Sequence, residues 1–316
     1  MRTEKELRRF LIDTDTGSDD VWAVIEALRA THLVRVEAIT VVCGNLPLDL
    51  CVKNAMLAVD AAGTYAPPVY RGMDHPLANN EGFYAPEVHG ADGLGGMDLP
   101  PSPRPVEETH AVDAIIDLVM ANPGQIEIVT CGPLTNLAVA LQKEPGLAEN
   151  IKKVWILGGS ASGTGNMTAY AEYNVYVDPE AADIVLRAGM DTLWVTWDTA
   201  VGETEITPAE VDRLMASGSP AARFCARCTR TLGEYYRKTY GRESFAVIDS
   251  LVMTTALYPQ IMEGVFRAAC TIQLEAGERR GCFRMDPAAQ PNAAVCPAVK
   301  VDQFKTNLFA LLGAGS

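Results

Sequence analysis

The 316-residue sequence has no apolar run near the roughly 18 residues a membrane-spanning helix needs. Its opening, Met1-Arg2-Thr3-Glu4-Lys5-Glu6, also lacks the apolar stretch of a secretory signal, so a cytoplasmic protein with no membrane partner is expected. Positive charge is in deficit: 26 Lys and Arg stand against 40 Asp and Glu, the net charge is -14, and no basic cluster stands out. Such a chain repels phosphate backbones, which argues against nucleic acid and favours a neutral or cationic small ligand. Of the eight cysteines only Cys225 and Cys228 have redox-motif or metal spacing, and a second pair is missing. Reduced thiols, mostly packed as small apolar residues, are expected. Internal repeats, low-complexity tracts and linkers of altered composition are absent too, so the 48% hydrophobic, 21% charged chain is expected to form one folded domain.

What is present is concentrated near the start. Phe10-Leu11-Ile12-Asp13-Thr14-Asp15-Thr16-Gly17-Ser18-Asp19-Asp20 puts four carboxylates into eight positions behind an apolar run. Like charges this close raise one another's pKa, and they stay ionised only around a cation or a dense set of donors. A bound metal is the simplest answer. Leu11-Ile12 continues a short apolar strand and Val21 to Leu28 has helical apolar spacing, so the carboxylates fall on a strand-to-helix turn. Ser18 is the expected N-cap, Asp19 and Asp20 suit the first turn, and Gly17 permits the bend. In an open α/β sheet, ligands bind past the carboxyl end of a strand.

Further along, Val34 to Val42 is a β-branched strand ending in Cys43-Gly44-Asn45, which puts Asn45 on the same sheet edge as the aspartates. A helix from Pro47 to Ala62 and a strand at Pro68-Val69-Tyr70 follow. Regularity then fails from Gly72 to Pro105, a stretch rich in Pro and Gly that carries His75, Phe83, Tyr84 and His89 and is read as an active-site lid. Strand and helix alternate again through Val106–Met120, Gln125–Thr130, Val154–Leu157, Pro179–Ala188 and Thr192–Thr196. This pattern predicts an α/β fold: one open, mainly parallel sheet, mixed at its edge, with helices on both faces. Thr207 to Tyr240 reads as helical, with Tyr236 and Tyr240 on one face, and Val265–Glu275 and Val295–Val301 read as closing strands.

Asp13-x-Asp15 after an apolar strand matches the opening of haloacid-dehalogenase phosphatases, but Asp19-Asp20 is outside that pattern and no downstream Gly-Asp-x-x-x-Asp element follows a strand. The sequence resembles the inosine-uridine nucleoside hydrolases, whose opening is Asp-x-Asp-Pro-Gly-x-Asp-Asp. It does so along most of its length: in Asp13 to Asp20, Val42-Cys43-Gly44-Asn45, His89-Gly90, and Gly132-Pro133-Leu134-Thr135-Asn136. The likeness continues through Gly165-Asn166, Ala171-Glu172-Tyr173-Asn174 and Asp178-Pro179-Glu180.

That resemblance implies a Rossmann-like fold and hydrolysis of the N-glycosidic bond of ribonucleosides, in a homodimer or homotetramer. It implies Ca²⁺ held by Asp15, Asp20, Asp249 and the carbonyl oxygen of Cys131, a hard oxygen set suited to this ion. Asp15 would take the proton of a Ca²⁺-bound water, and Asp13 would support the metal site from behind. Asp19, Asn45, Asn166, Glu172, Asn174 and Asp249 would bind the ribose hydroxyls, so deoxynucleosides are expected to be poor substrates. His89, Tyr236 and Tyr240 would contact the base.

The sequence departs from the family at two places. Thr16 takes the place of proline, and Ile248 takes the place of a histidine that often precedes the last metal-binding aspartate and protonates the leaving base. Members without this histidine often favour purine nucleosides. The alternatives are a catalytically weak Ca²⁺-dependent ribose or nucleoside binder, or a hydrolase of another ribosyl compound.

Overall fold

The computed structural model describes residues 7–79, 83–286 and 288–315. The apolar, β-branched runs form strands β1 Arg8–Thr14, β2 Val34–Val41, β3 Val69–Arg71, β4 Ile126–Thr130, β5 Lys153–Leu157 and β6 Thr192–Val195. Between them lie helices α1 Asp20–Arg29, α2 Leu48–Ala62, α3 Pro86–His89, α4 Ala111–Ala121, α5 Thr135–Lys143, α6 Leu147–Asn150, α7 Tyr173–Val177 and α8 Pro179–Arg187. Helices α9 Pro208–Ala216, α10 Pro220–Cys228, α11 Arg230–Tyr240 and α12 Ile248–Leu257 follow without a strand between them. The chain closes with β7 Met262–Glu263, β8 Phe266–Ile272, β9 Phe283–Asp286, β10 Ala293–Cys296, β11 Ala298–Val299 and α13 Val301–Leu312.

Among the described residues nine strands form one sheet, in the order β3-β2-β1-β4-β5-β6-β10-β8-β9. Seven of them, β3 through β10, run parallel, and β8 and β9 add antiparallel pairs at one edge. The fold is thus the expected mixed, mainly parallel sheet. From β1 the chain goes outward to β2 and β3, then returns to place β4 on the other side of β1. That reversal opens a crevice beyond the carboxyl ends of β1 and β4, the ligand position in doubly wound sheets.

Strand β1 is covered on both faces. Phe10 and Ile12 join a core with Trp22 and Ile25 of α1, Leu251 of α12 and Phe304 of α13. Leu11 points the opposite way, into a core with Ile115 of α4, Leu137 of α5 and Val185 of α8. This is the two-residue alternation of a strand buried between helical layers.

Some element boundaries differ from those expected. The helix foreseen from Val106 starts at Ala111, because Glu107 extends beside β3, donating its amide to Val69 O at 2.9 Å, and His110 then caps the helix. The helical stretch from Thr207 to Tyr240 is three helices, interrupted at Gly218-Ser219 and at Thr229. Strand β9 was not foreseen, and Val301 begins a helix rather than ending a strand. All eight cysteines are buried and free, as expected, and no helix among the described residues is long and apolar enough to cross a membrane.

Candidate active site

The turn between β1 and α1 holds its carboxylates in an almost fully buried nest. Asp20 accepts from Thr14 Oγ1 at 2.6 Å through Oδ1, and from Gly17 N at 2.9 Å and Asn45 Nδ2 at 3.1 Å through Oδ2. Asp15 Oδ2 accepts from Asn45 N at 2.7 Å. Asn45, in the loop after β2, therefore holds two carboxylates at once. Asp13 Oδ1, behind them on β1, accepts from Thr40 Oγ1 at 2.5 Å and from Asn136 Nδ2 at 2.8 Å. Helix α12 brings in Asp249, so that Asp19, Asp20 and Asp249 each offer an oxygen within 4.8 Å of the others.

Three oxygens of this cluster, Asp15 Oδ1, Asp19 Oδ1 and Asp249 Oδ1, are buried without a hydrogen-bond partner. Burial and then the Asp20 charge push Asp15 well above the usual carboxylate range, and burial with the Asp20, Asp19 and Asp15 charges does the same to Asp249. Asp19 rises to about 7 by burial and the Asp20 charge, and burial also raises Asp20. Asp13 reaches about 7 by burial, although its two hydrogen bonds oppose the rise. Acids packed this way, with orphaned oxygens, fit a hard cation, which would compensate the charge and take up the free lone pairs. The Cys131 carbonyl accepts from Asn174 Nδ2 at 2.9 Å and keeps a second lone pair. The nearest carboxylate trio contains Asp19 in place of Asp15, which lies beside it with its own free oxygen.

Two local expectations change. Ser18 does not cap α1: Asp19 is the N-cap residue, without a side-chain capping bond, and Ser18 Oγ sits 3.0 Å from His89 Nδ1. Gly17 is required by crowding, not by its backbone angles, because a Cβ there would lie 2.8 Å from His89 Nδ1 and 2.9 Å from Asn45 Nδ2. At the position of the family's proline, the amide of Thr16 donates to Thr14 Oγ1 at 3.2 Å, a bond proline cannot make.

The pocket beside the carboxylates has Asp19, Asn45, Cys131, Asn166, Glu172, Asn174 and Asp249 in its lining. Glu172 is the N-cap of α7 and accepts from the amides of Asn174 at 2.8 Å, Gly159 at 3.0 Å and Val175 at 3.2 Å. Burial nonetheless raises it to about 7. Asn166 Oδ1 accepts from Tyr173 N at 2.8 Å. Apolar and aromatic residues also line it: Trp197, Leu232, Tyr235, Tyr236, Tyr240 and Ile248. Tyr236 and Tyr240 pack edge to face at 5.2 Å, with Tyr236 buried and Tyr240 exposed.

His89, at the end of α3, also lines the pocket. Burial lowers it to about 4, and Ser18 N donates to its Nδ1 at 3.2 Å, so the ring is neutral with its proton on Nε2. Asp19 Oδ1, 3.6 Å from the same Nδ1, therefore forms no ion pair with it. Of the residues expected from the sequence, Asp19, Asn45, His89, Cys131, Asn166, Glu172, Asn174, Tyr236, Tyr240 and Asp249 line this pocket, whereas Asp13, Asp15 and Asp20 lie in the buried nest and are not part of its lining.

Sequence reasoning missed several contributors. A Cβ on Gly44 would fall 2.0 Å from Asp15 Oδ2, so that glycine is needed for the carboxylate to sit where it does. Thr14 holds Asp20, and Tyr173 lines the pocket while bonding two loops through its hydroxyl. The Cys43-Gly44-Asn45 and Glu172-Tyr173-Asn174 motifs flagged their neighbours but not these roles.

The family model described as inosine-uridine preferring nucleoside hydrolase matches residues 10–306. The Escherichia coli pyrimidine-specific ribonucleoside hydrolase RihB is 37% identical over 217 residues, 68% of this chain and 67% of that protein. A probable uridine nucleosidase 2 from Oryza sativa subsp. japonica is 32% identical over 253 residues, 80% of this chain and 74% of its own length. Among solved structures, the plant nucleoside hydrolase PpNRh1 superimposes with a TM-score of 0.91 at 31% identity, covering 97% of this chain and 99% of its own. The purine-preferring ribonucleoside hydrolase from Gardnerella vaginalis gives 0.90 at 28%, covering 97% and 98%. With its carboxylate nest beside a pocket of polar and aromatic side chains in this fold, the chain belongs to the inosine-uridine preferring nucleoside hydrolase family.

Proposed function

We propose that the protein hydrolyses the N-glycosidic bond of ribonucleosides to ribose and free base, with Asp15 as the general base. The observation that carries this reading is the buried carboxylate cluster with unpartnered oxygens, two of whose members, Asp19 and Asp249, line a pocket shared by polar and aromatic side chains. Asp15, Asp20, Asp249 and the Cys131 carbonyl would hold a divalent cation, and an all-oxygen donor set favours Ca²⁺. When bound, the cation lowers the pKa of water in the site and balances the acids around it. Asp15 then takes a proton from the attacking water through Oδ1, the oxygen that no protein donor occupies.

Asp19, Asn45, Asn166, Glu172, Asn174 and Asp249 bind the ribose hydroxyls. Such a site rejects sugars that leave its polar groups unpaired, so 2′-deoxynucleosides are turned over poorly. Tyr236 and Tyr240 face the base with Trp197 and Leu232, and neutral His89 offers Nε2–H as a donor. Ile248 supplies no proton, so a base that leaves readily once protonated by solvent is favoured. That chemistry and the broad ring surface support a preference for purines, whereas the relatives named above divide between pyrimidine and purine names.

The free, buried thiols support a reducing cytoplasmic setting, and the family resemblance supports a homodimer or homotetramer. The test is release of base and reducing sugar from inosine, adenosine, guanosine, uridine, cytidine and 2′-deoxyinosine, with chelator and after adding Ca²⁺ back. Turnover lost with chelator, restored by Ca²⁺ and reduced about 10²–10⁴-fold in Asp15→Ala is expected. Equal or faster uridine turnover would overturn the purine preference. Absence of turnover on every nucleoside, with Ca²⁺-dependent ribose binding intact, would make the protein a binder.

A further inference from the structure

The pocket wall from Phe83 to His89 is held by a chain of bonds running back to the carboxylate nest. Ala85 N donates to Asn45 O at 2.9 Å, while Asn45 itself bonds Asp15 and Asp20. At the far end of α3, His89 meets Ser18. Next to the first tie, at the start of the wall, is Tyr173, whose hydroxyl lies 2.8 Å from Phe83 O and 3.0 Å from Gly44 O. A phenol has one proton for two carbonyls, so it bridges the wall and the Gly44–Asn45 turn as a shared donor. Burial raises its pKa, so it stays protonated at any working pH. The ring of Tyr176, on the same helix α7, packs edge to face on Phe83 at 5.3 Å, giving the wall a second hold.

Helix α7 also carries the sugar side of the pocket. Glu172 caps it, Asn174 bonds the Cys131 carbonyl, and the Tyr173 amide orients Asn166. We propose that the Tyr173 hydroxyl is a positioning group for the nucleoside site: it fixes the wall bearing His89 at a set distance from the helix that binds the sugar. The role rests on the nucleoside-hydrolase reading. The ring forms part of the pocket, but the hydroxyl acts through the backbone of two loops and needs no contact with substrate. Without it, a bound nucleoside must order the wall itself, so affinity falls more than the chemical step.

The test is Tyr173→Phe, which removes one oxygen and keeps the ring. We expect KM for the best nucleoside to rise about tenfold with kcat changed less than about threefold, from the loss of one donor shared by buried carbonyls. Hydrogen exchange in a peptide covering Phe83–His89 is expected to quicken at least about tenfold, with exchange in β4 unchanged. Incorporation of 4-aminophenylalanine at position 173 restores a donor at the same place and should return both values toward those of the unmodified protein; it also keeps the test open if Tyr173→Phe does not fold. Unchanged wall exchange, or faster exchange across wall and β4 alike, would overturn the proposal, as would an unaltered KM. If the unmodified protein hydrolyses no nucleoside, the hydrolase reading fails, and the exchange measurement still decides whether Tyr173 holds the wall.

Discussion

Glu26 offers a stability change that can be worked out from the structure. It lies on α1 against α12, fully buried, with Oε2 accepting from Thr254 Oγ1 at 2.6 Å and Oε1 accepting from Ser250 Oγ. Burial outweighs these two bonds and pushes its pKa from 4.5 to about 8. The folded protein therefore keeps a proton that the unfolded chain releases near 4.5. An acid raised in this way contributes its stability fully below its unfolded value, and that stability is lost as pH rises through the folded value. With about 1.36 kcal/mol for each pH unit in that window, the loss between pH 5 and pH 8 is roughly 3 kcal/mol.

Glu26→Gln keeps the shape and one acceptor but does not titrate. Urea unfolding of both proteins at several pH values between 5 and 8 isolates the effect as a difference, since all other groups titrate in both. We expect the variant to gain about 3 kcal/mol relative to the native protein as pH rises from 5 to 8. A constant difference across that range would show that Glu26 ionises near its ordinary pKa in the fold, and the argument from burial would be wrong.

Two further outcomes follow from the carboxylate nest. Gly44→Ala places a methyl group 2.0 Å from Asp15 Oδ2, so turnover should fall by at least about 10²-fold, with circular dichroism unchanged and stability lowered by about 1–3 kcal/mol from the overpacking. If activity survives, Asp15 is not held where its chemistry requires. Saturating Ca²⁺, at about 100 times its Kd, should raise unfolding free energy by about 2.7 kcal/mol, and Asp20→Asn should abolish that gain. A midpoint insensitive to Ca²⁺ would argue that the nest remains protonated and takes no cation.

Much of this site was legible in the chain because its signals are local. The Asp13 to Asp20 run, its strand-to-helix setting and Asn45 in the loop after the next strand depend on short-range pattern, and they stand in the structure as expected. Other features were misread where local pattern is ambiguous. The run Val295–Val301, read as strand, does hold the end of β10 and all of β11, but Val301 starts α13, which packs Phe304 and Leu308 into the core. Ser18 looked like a cap, but its partner His89 comes from 71 positions away.

By itself the sequence determined the alternating elements, the parallel sheet they build and the turn on which the acids gather, since hydrophobic period and turn chemistry act over a few residues. Only the tertiary structure decided which distant groups share that turn. Asp249 joins Asp19 and Asp20 because α12 packs on α1, and the same packing buries Glu26 under Ser250 and Thr254. Tyr173 bridges Gly44 and Phe83 because the parallel strands β2, β3 and β5 send the segments that follow them to one carboxyl edge of the sheet. Contacts of this kind depend on the long-range arrangement of helices over the sheet, which residue spacing along the chain does not encode.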